Sequence, residues 1–340
     1  MGGDTRVKIK EVAARAGVSP ATVSRVLNGV SSVNPEYRER VLKTVNELGY
    51  RPNRLASNLR RQNAEMIGVV ISDIENPHFT QMVRAAEDAA YRRGYRVLLC
   101  NTDETEEKQK AYLKVLAEER VLGVILSPSD PAGEEISELL DLGTPVVAFD
   151  RTVKDPRADA VTVDNAAGLR RATEHLIQAG HERIGLVGGT PEIETGAERL
   201  AGYKAAMLEA GLEPVWAEGD FRIGTAATAT EELLDADGLT ALIIANNLMA
   251  AGALKALRAR GTRVPDDIAI VAVDDPFWAD LVEPPLTTLA QPVRLMADTA
   301  VDLLFERISK RRKQRRRVVF DFELVVRGSC GTKAQTREGE

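Results

Sequence analysis

The sequence predicts an all-α helix-turn-helix headpiece followed by an α/β body made of two doubly wound parallel-sheet lobes. Three observations lead there. The first sixty residues carry apolar positions at helical spacing, punctuated by Gly and Pro. From Met66 onward, short β-branched runs alternate with helical stretches. That alternation restarts after Asp164, and 340 residues is too long for one ordinary domain.

In the headpiece, Ile9, Val12, Ala13 and Ala16 form one helical stripe and Gly17 stops it. Val18 precedes Ser19, a good N-cap, and Pro20 takes the first helical position, where a missing N–H costs nothing. The second helix runs to about Asn28 with Val23 and Leu27 inward. Pro35 opens a third, with Val41, Leu42, Val45 and Leu48 as its apolar face and Gly49 at its end. The second helix leaves Ala21, Thr22, Ser24, Arg25 and Asn28 exposed. Short side chains let a helix backbone enter a DNA major groove, and an Arg there pairs bidentately with guanine. Thr22, Ser24 and the helix N-terminus at Ser19 and Pro20 suit phosphates.

In the body, MIGVVISD, RVLLCNT, GVILSP, PVVAFD and AVTVD read as one set of parallel strands. RIGLVGG, WAEGDF, ALIIAN and IAIVAVDD read as a second set. Ligands of such sheets lie beyond the strand C-termini. Asp73, Asn76, Asp150, Arg151, Asp220, Asn246 and Asp274 fall there, with Phe79, Phe221 and Trp278 nearby. Carboxylates accept from hydroxyls, Arg donates, and aromatic faces cover C–H surface, so the set suits a polyhydroxylated ligand.

Charge is divided unevenly. Met1 to Gln62 hold 12 Lys/Arg against 5 Asp/Glu, a net of +7, while the rest carry 33 against 46, a net of −13. A basic head on an acidic body suits a polyanionic partner. No run of about 18 apolar residues is present, and Met1 to Lys10 lack a secretory stretch, so no membrane partner and a cytoplasmic location are expected. Cys100 and Cys330 read as a buried thiol and a tail thiol; they offer neither a disulfide framework nor a zinc pattern. No metal and no cofactor is expected. No nucleophile elbow, P-loop or His-Glu-x-x-His appears, and GLVGGT lacks the full dinucleotide spacing, so the chain does not read as an enzyme. His175 and His181 read as capping or packing residues.

The run IKEVAARAGVSPATVSRVLNG, then VNPEYRERVLKTVNELGYRPNRLASNLR, resembles the headpiece of the LacI/GalR family of bacterial repressors. The resemblance implies a hinge helix in PNRLASNLR that enters the minor groove, with Arg60 contacting the groove and Asn53, Arg54, Ala56 and Leu59 also binding DNA. Leu59 would be an apolar wedge that unstacks a base step. The body, from Met66 to about Gly328, is similar to the periplasmic-binding-protein fold and, within it, to ribose binders and ribose repressors. The matching stretches include IENPHFTQMVRAAEDAAYRRGYRVLLCNTDE, PVVAFDR, ERLAGYKAAM, ANNLMAAGALKAL and PPLTTLAQP. That likeness implies Asp150, Arg151, Arg199, Asn246, Asp274 and Gln291 on ligand hydroxyls, with Phe79 and Phe221 stacking. Two positions depart from it: His78 stands where ribose binders have a second Phe, and Asn247 replaces an Asp.

The expected organisation is a headpiece at 1–52, a hinge at 53–65, a two-lobed body at 66–330 and a tail at 331–340. The N-lobe takes 66–163 and 292–317, and the C-lobe 164–291 and 318–330. Pro292 starts a helix to about Ser309, VVFDFELVVR returns as strand, and KRRKQRRR at Lys310 to Arg317 reads as a solvated basic loop. No leucine heptads follow Arg327, so a homodimer on a near-palindromic operator is expected. The implied function is a repressor of a sugar-utilisation operon, released by ribose or a related sugar. A nucleoside- or purine-responsive regulator, a global regulator with a phosphoprotein corepressor, and a transport sugar-binding protein remain the rival readings.

Overall fold

The structure, a computed structural model, describes residues 7–27, 33–50, 65–235, 238–312 and 314–331. The chain divides into two compact units, Met1–Ala64 and Glu65–Glu340. Asn28 and the hinge residues Asn53, Arg54, Ala56, Leu59 and Arg60 lie outside the described residues.

In the first unit, α1 (Ile9–Ala16) ends where Gly17 turns left-handed at φ 64°. The new direction feeds α2 (Pro20–Leu27), whose N-cap is Ser19: its Oγ accepts from Thr22 N at 3.1 Å. α3 (Pro35–Glu47) is capped by Asn34 and closes the bundle. Arg40 from α3 reaches back and donates to the Ala16 carbonyl at 2.5 Å, satisfying an end of α1. The core is small: Val12, Ala13, Ala16, Val23, Val26 and Val41. Leu27 is only half-buried, and Leu42, expected inside, is 46 % exposed. Thr44 is buried in its place, because its hydroxyl can bond the Arg40 carbonyl.

The second unit holds two six-stranded sheets of matching design. The N-lobe sheet runs β11-β5-β4-β3-β1-β2, all parallel. Its strands are β1 (Met66–Ile71), β2 (Arg96–Asn101), β3 (Val124–Leu126), β4 (Val146–Phe149), β5 (Asp159–Val163) and β11 (Arg317–Phe320). The C-lobe sheet runs β12-β10-β9-β8-β6-β7. It contains β6 (Ile184–Gly188), β7 (Val215–Glu218), β8 (Ala241–Ile244), β9 (Ala269–Val273), β10 (Thr287–Ala290) and β12 (Glu323–Val325), with β12 alone antiparallel. Strands buried on both faces explain the near-continuous apolar runs. In both lobes the first strand lies between the second and third, so the order reverses at β1/β3 and at β6/β8. A crevice opens at such a switch point.

The N-lobe helices are α4 (Pro77–Arg92), α5 (Glu106–Glu118), α6 (Glu134–Asp141) and α11 (Val293–Ile308). Those of the C-lobe are α7 (Asn165–Gln178), α8 (Glu194–Glu209), α9 (Ile223–Leu234) and α10 (Asn247–Arg260). No described helix is long and apolar enough to cross a membrane. The chain crosses between lobes after β5, after β10 and after β11. This last crossing corrects the expected boundary at 317/318. VVFDFELVVR is not one strand of the C-lobe: Val318–Phe320 pair with β5 in the N-lobe, and Glu323–Val325 pair with β10 in the other. Cys330 is not a tail thiol either. It is 1 % exposed in a short 3-10 turn, with Sγ 3.4 Å from His175 Nε2. His181 Nδ1 lies 3.0 Å from Thr240 Oγ1, a packing role as expected.

Candidate functional site

The headpiece face. Along α2, Val23 and Val26 point into the core while Pro20, Ala21 and Arg25 are exposed and Thr22 and Ser24 half-buried. Ser19, also exposed, is occupied as the N-cap and stands 2.9 Å from Thr22 Oγ1. The outward face therefore consists of small residues with one long cation.

The cleft. Helix N-termini and strand C-termini of the two lobes converge on one pocket. Ten of the twelve residues expected around the ligand line it: Asp73, Asn76, Phe79, Asp150, Arg151, Arg199, Phe221, Asn246, Asp274 and Gln291. Asp150 follows β4 and Asp274 follows β9, at equivalent places. Each donates its backbone N–H to the neighbouring strand, to Val161 and Leu289 respectively, and each is left-handed, at φ 70° and 72°. That conformation is costly for a non-glycine residue and turns both carboxylates into the cleft. Asn76 and Asn246 cap α4 and α10, so each has an amide oxygen committed to helix backbone.

The cations are held differently. Arg151 forms a bidentate pair with Glu104, both bonds 2.6 Å. Burial works against its charge, but the Glu104 carboxylate, helped by Asp150 and Glu194, outweighs it and lifts the guanidinium above its ordinary value. Arg199 donates only to neutral acceptors, Asn165 Oδ1 at 2.8 Å and the Ala245 carbonyl at 2.6 Å. Burial pulls it below its ordinary value while Asp274 and Asp150 push back. A guanidinium stays charged in a protein, so this is a desolvated cation facing carboxylates it does not touch.

Three polar contacts tie the lobes across the cleft. Arg222 meets Asp73 at 3.1 Å, Glu194 accepts from Thr152 N at 2.5 Å, and Asn247 Nδ2 donates to Asn76 Oδ1 at 2.9 Å. Asn247 Nδ2 also donates to Asp274 Oδ2 at 2.8 Å. The departure from Asp at this position now has a reason: an Asp would set a second carboxylate against Asp274, whereas the amide bridges. His78, the other departure, lies 5 % exposed between two carboxylates, Nε2 3.8 Å from Asp150 and Nδ1 4.0 Å from Asp274.

Six buried side-chain polar atoms among the described residues have no hydrogen-bond partner. Four belong to residues lining this pocket, both His78 nitrogens, Arg151 Nε and Gln291 Oε1, and a fifth, Asn247 Oδ1, to a smaller pocket beside it that His78 and Gln291 also line. Buried groups are normally paired, so such a cluster marks a place built for something polar.

Two expectations fail. Trp278 does not reach the cleft; it lines a separate surface groove with Leu254 and Pro284. Asp220 is exposed and accepts from Thr190 Oγ1 instead. Four lining residues were missed as ligand groups: His78, Glu104, Thr195 and Arg222. The N-P-H-F run could have signalled His78; nothing local marks the others. The GLVGGT run also finds its use. A Cβ on Gly189 would lie 2.0 Å from the Phe221 ring, so glycine makes room for that aromatic.

Comparison with known proteins gives two family matches: bacterial regulatory proteins, lacI family, over residues 8–53, and a periplasmic binding protein-like domain over residues 173–330. The HTH-type transcriptional repressor PurR of Aliivibrio salmonicida is 37 % identical, covering 94 % of this chain and 98 % of its own. The ribose operon repressor of Halalkalibacterium halodurans is 38 % identical, covering 94 % and 96 %. Among solved structures, the lac repressor dimer bound to operator and the anti-inducer ONPF superposes with a TM-score of 0.83 at 30 % identity, covering 96 % of this chain and 99 % of that one.

Proposed function

The chain belongs to the lacI family of DNA-binding bacterial regulators, and we propose that it is a repressor whose hold on its operator is set by a small neutral sugar bound between the lobes. One observation carries the sugar reading: the cluster of unpartnered atoms in the cleft. Arg151 Nε–H donates, Asn247 Oδ1 and Gln291 Oε1 accept, and the His78 ring can do both. A ligand in the pocket that met Arg151 Nε, the His78 ring and Gln291 Oε1 would have to donate and accept at once, as hydroxyls do. Charge agrees. Glu104 and Asp73 are matched by Arg151 and Arg222, Asp150 also stands 3.5 Å from Arg151 Nε, and Asp150 and Asp274 both face Arg199. No excess positive charge is left to favour an anion. Phe79, 4 % exposed, and the half-buried Phe221 supply apolar cover for ring C–H groups.

On this reading Asp150, Arg151, Arg199, Asn246, Asp274 and Gln291 bond the ligand. Ser19, Pro20, Ala21, Thr22, Ser24 and Arg25 face the operator, joined by Asn28, Asn53, Arg54, Ala56, Leu59 and Arg60. Two subunits engage a near-palindromic duplex, as in the operator-bound lac repressor dimer. The ligand changes how the lobes sit and so releases DNA. A purine is the second candidate, because relatives named PurR match as well as the ribose repressor does and His78 adds a flat ring beside Phe79, 5.1 Å between centroids.

A thermal-shift screen of pentoses, hexoses, nucleosides and purines decides between them, since a ligand of the folded state raises its stability. Stabilisation by a neutral sugar, with loss of operator binding, is the expected result. Stabilisation by a purine alone overturns the sugar reading.

A further inference from the structure

The basic run after α11 is not simply a solvated loop. Asp159, at the start of β5, has a fully buried side chain and accepts five bonds from this region. Arg307 gives two at 3.1 and 3.0 Å, Arg312 two at 3.0 and 2.5 Å, and the Arg316 backbone one at 2.7 Å. Arg312 Nε also meets Glu306 at 2.8 Å. A core carboxylate thus anchors the turn by its first and last parts. The side chains between and beside these anchors face outward: Lys310, Arg311 and Arg315 are exposed, and Arg316, 57 % exposed, shares Glu306 only at 3.5 Å. The result is a cationic turn pinned at both ends.

Its place in the sheet matters. All N-lobe strands are parallel, so β11 and β1 begin at the same edge. The turn leads into β11 at Arg317, and β1 begins at Met66. With three strands between them, the two points are roughly 19 Å apart at the usual strand spacing.

We propose that Lys310, Arg311 and Arg315 on this turn form a second, sequence-independent contact for DNA phosphates. The proposal rests on the DNA-binding reading above. Cations on a pinned turn lose less freedom on meeting phosphate than those of a loose tail, and each phosphate neutralised releases counterions. The contact carries no base information, so it strengthens binding to all sequences alike.

The test uses the full chain and a random-sequence duplex of about 40 base pairs, titrated across salt concentrations. The triple variant Lys310→Gln, Arg311→Gln, Arg315→Gln keeps Arg307, Arg312 and Asp159 in place. The slope of log affinity against log salt should fall by about 2–3 for each subunit that touches the duplex, at about 0.9 per phosphate, with affinity down at least tenfold near 0.1 M salt. The loss on a promoter-derived duplex should match it. A control triple, Lys110→Gln, Lys114→Gln, Lys204→Gln, removes equal charge elsewhere on the body. An unchanged slope in the first variant, or equal losses in both, overturns the proposal. If the wild-type chain binds no duplex even at low salt, the DNA-binding reading falls and takes this contact with it.

Discussion

Helix α2 collects its outward-facing groups from consecutive residues, Ser19 to Arg25, whereas the cleft collects Asp73, Arg199 and Gln291 from opposite parts of the body. The headpiece groups are exposed or half-buried and rest on a core of six small side chains. The cleft groups are mostly buried and hold one another at hydrogen-bond distance. The contrast teaches how cost is distributed. On an exposed helix face a side chain can change with little effect on folding, so only binding constrains it. In the cleft each charge is desolvated, and its removal is felt by every partner.

The largest expected effect is on stability, at Asp159. Asp159→Asn should destabilise the body by about 3 kcal/mol, because it removes the buried carboxylate that Arg307 and Arg312 share, leaving Arg312 with Glu306 alone as a carboxylate partner. Burial alone would raise the Asp159 carboxyl, but the bonds from Arg312 and Arg307 win and hold it below its ordinary value. A lowered carboxyl stabilises the fold at pH above its unfolded value, and that contribution is lost as pH falls through the folded one. The melting gap between wild type and Asp159→Asn should therefore close on acidification below about pH 4. A gap that stays constant into strong acid would show that charge is not what Asp159 contributes.

Next comes Arg199→Ala, which should weaken the sugar found by screening about a hundredfold, near 2.7 kcal/mol, while operator affinity without ligand stays within about twofold. Calorimetric and DNA-binding titrations of one preparation measure both. Equal losses in the two would erase the division between the regions.

Arg25→Ala should act the other way round. It should cost about 1–3 kcal/mol on the specific duplex and relax base preference, with ligand affinity unchanged. A matching loss on random DNA would mean that Arg25 touches phosphate only.

The smallest effect is expected at Leu42. Its 46 % exposure predicts that Leu42→Gln shifts headpiece stability by less than about 0.5 kcal/mol in chemical denaturation. A loss of 2 kcal/mol or more, of the size a buried leucine gives, would place Leu42 in the core as its spacing suggested.

Much of this protein was legible in its residues. Gly17, Ser19 and Pro20 act locally, through φ and hydrogen bonds within one turn, so the headpiece helices could be placed from sequence alone. Strand C-termini follow from apolar runs, so Asp150 and Asp274 were identifiable as cleft residues by their position after such runs. Other features depend on what a distant segment brings near. Leu42 keeps the apolar spacing, yet the buried face of α3 runs through Val41 and Thr44 and Leu42 lies to its side. Trp278 follows a strand end as the ligand residues do, but the chain carries it to another groove. VVFDFELVVR is apolar for most of its length, and nothing in it says that its halves join different sheets. His78, Asn247 and Arg312 look like weak signals in the sequence because their meaning lies in partners elsewhere in the chain: Asp150 and Asp274 for the first, Asn76 and Asp274 for the second, Asp159 for the third. Local backbone chemistry and periodicity determined the elements; the pairing of buried charges, which depends on distance through the folded interior, was decided only when the lobes were assembled.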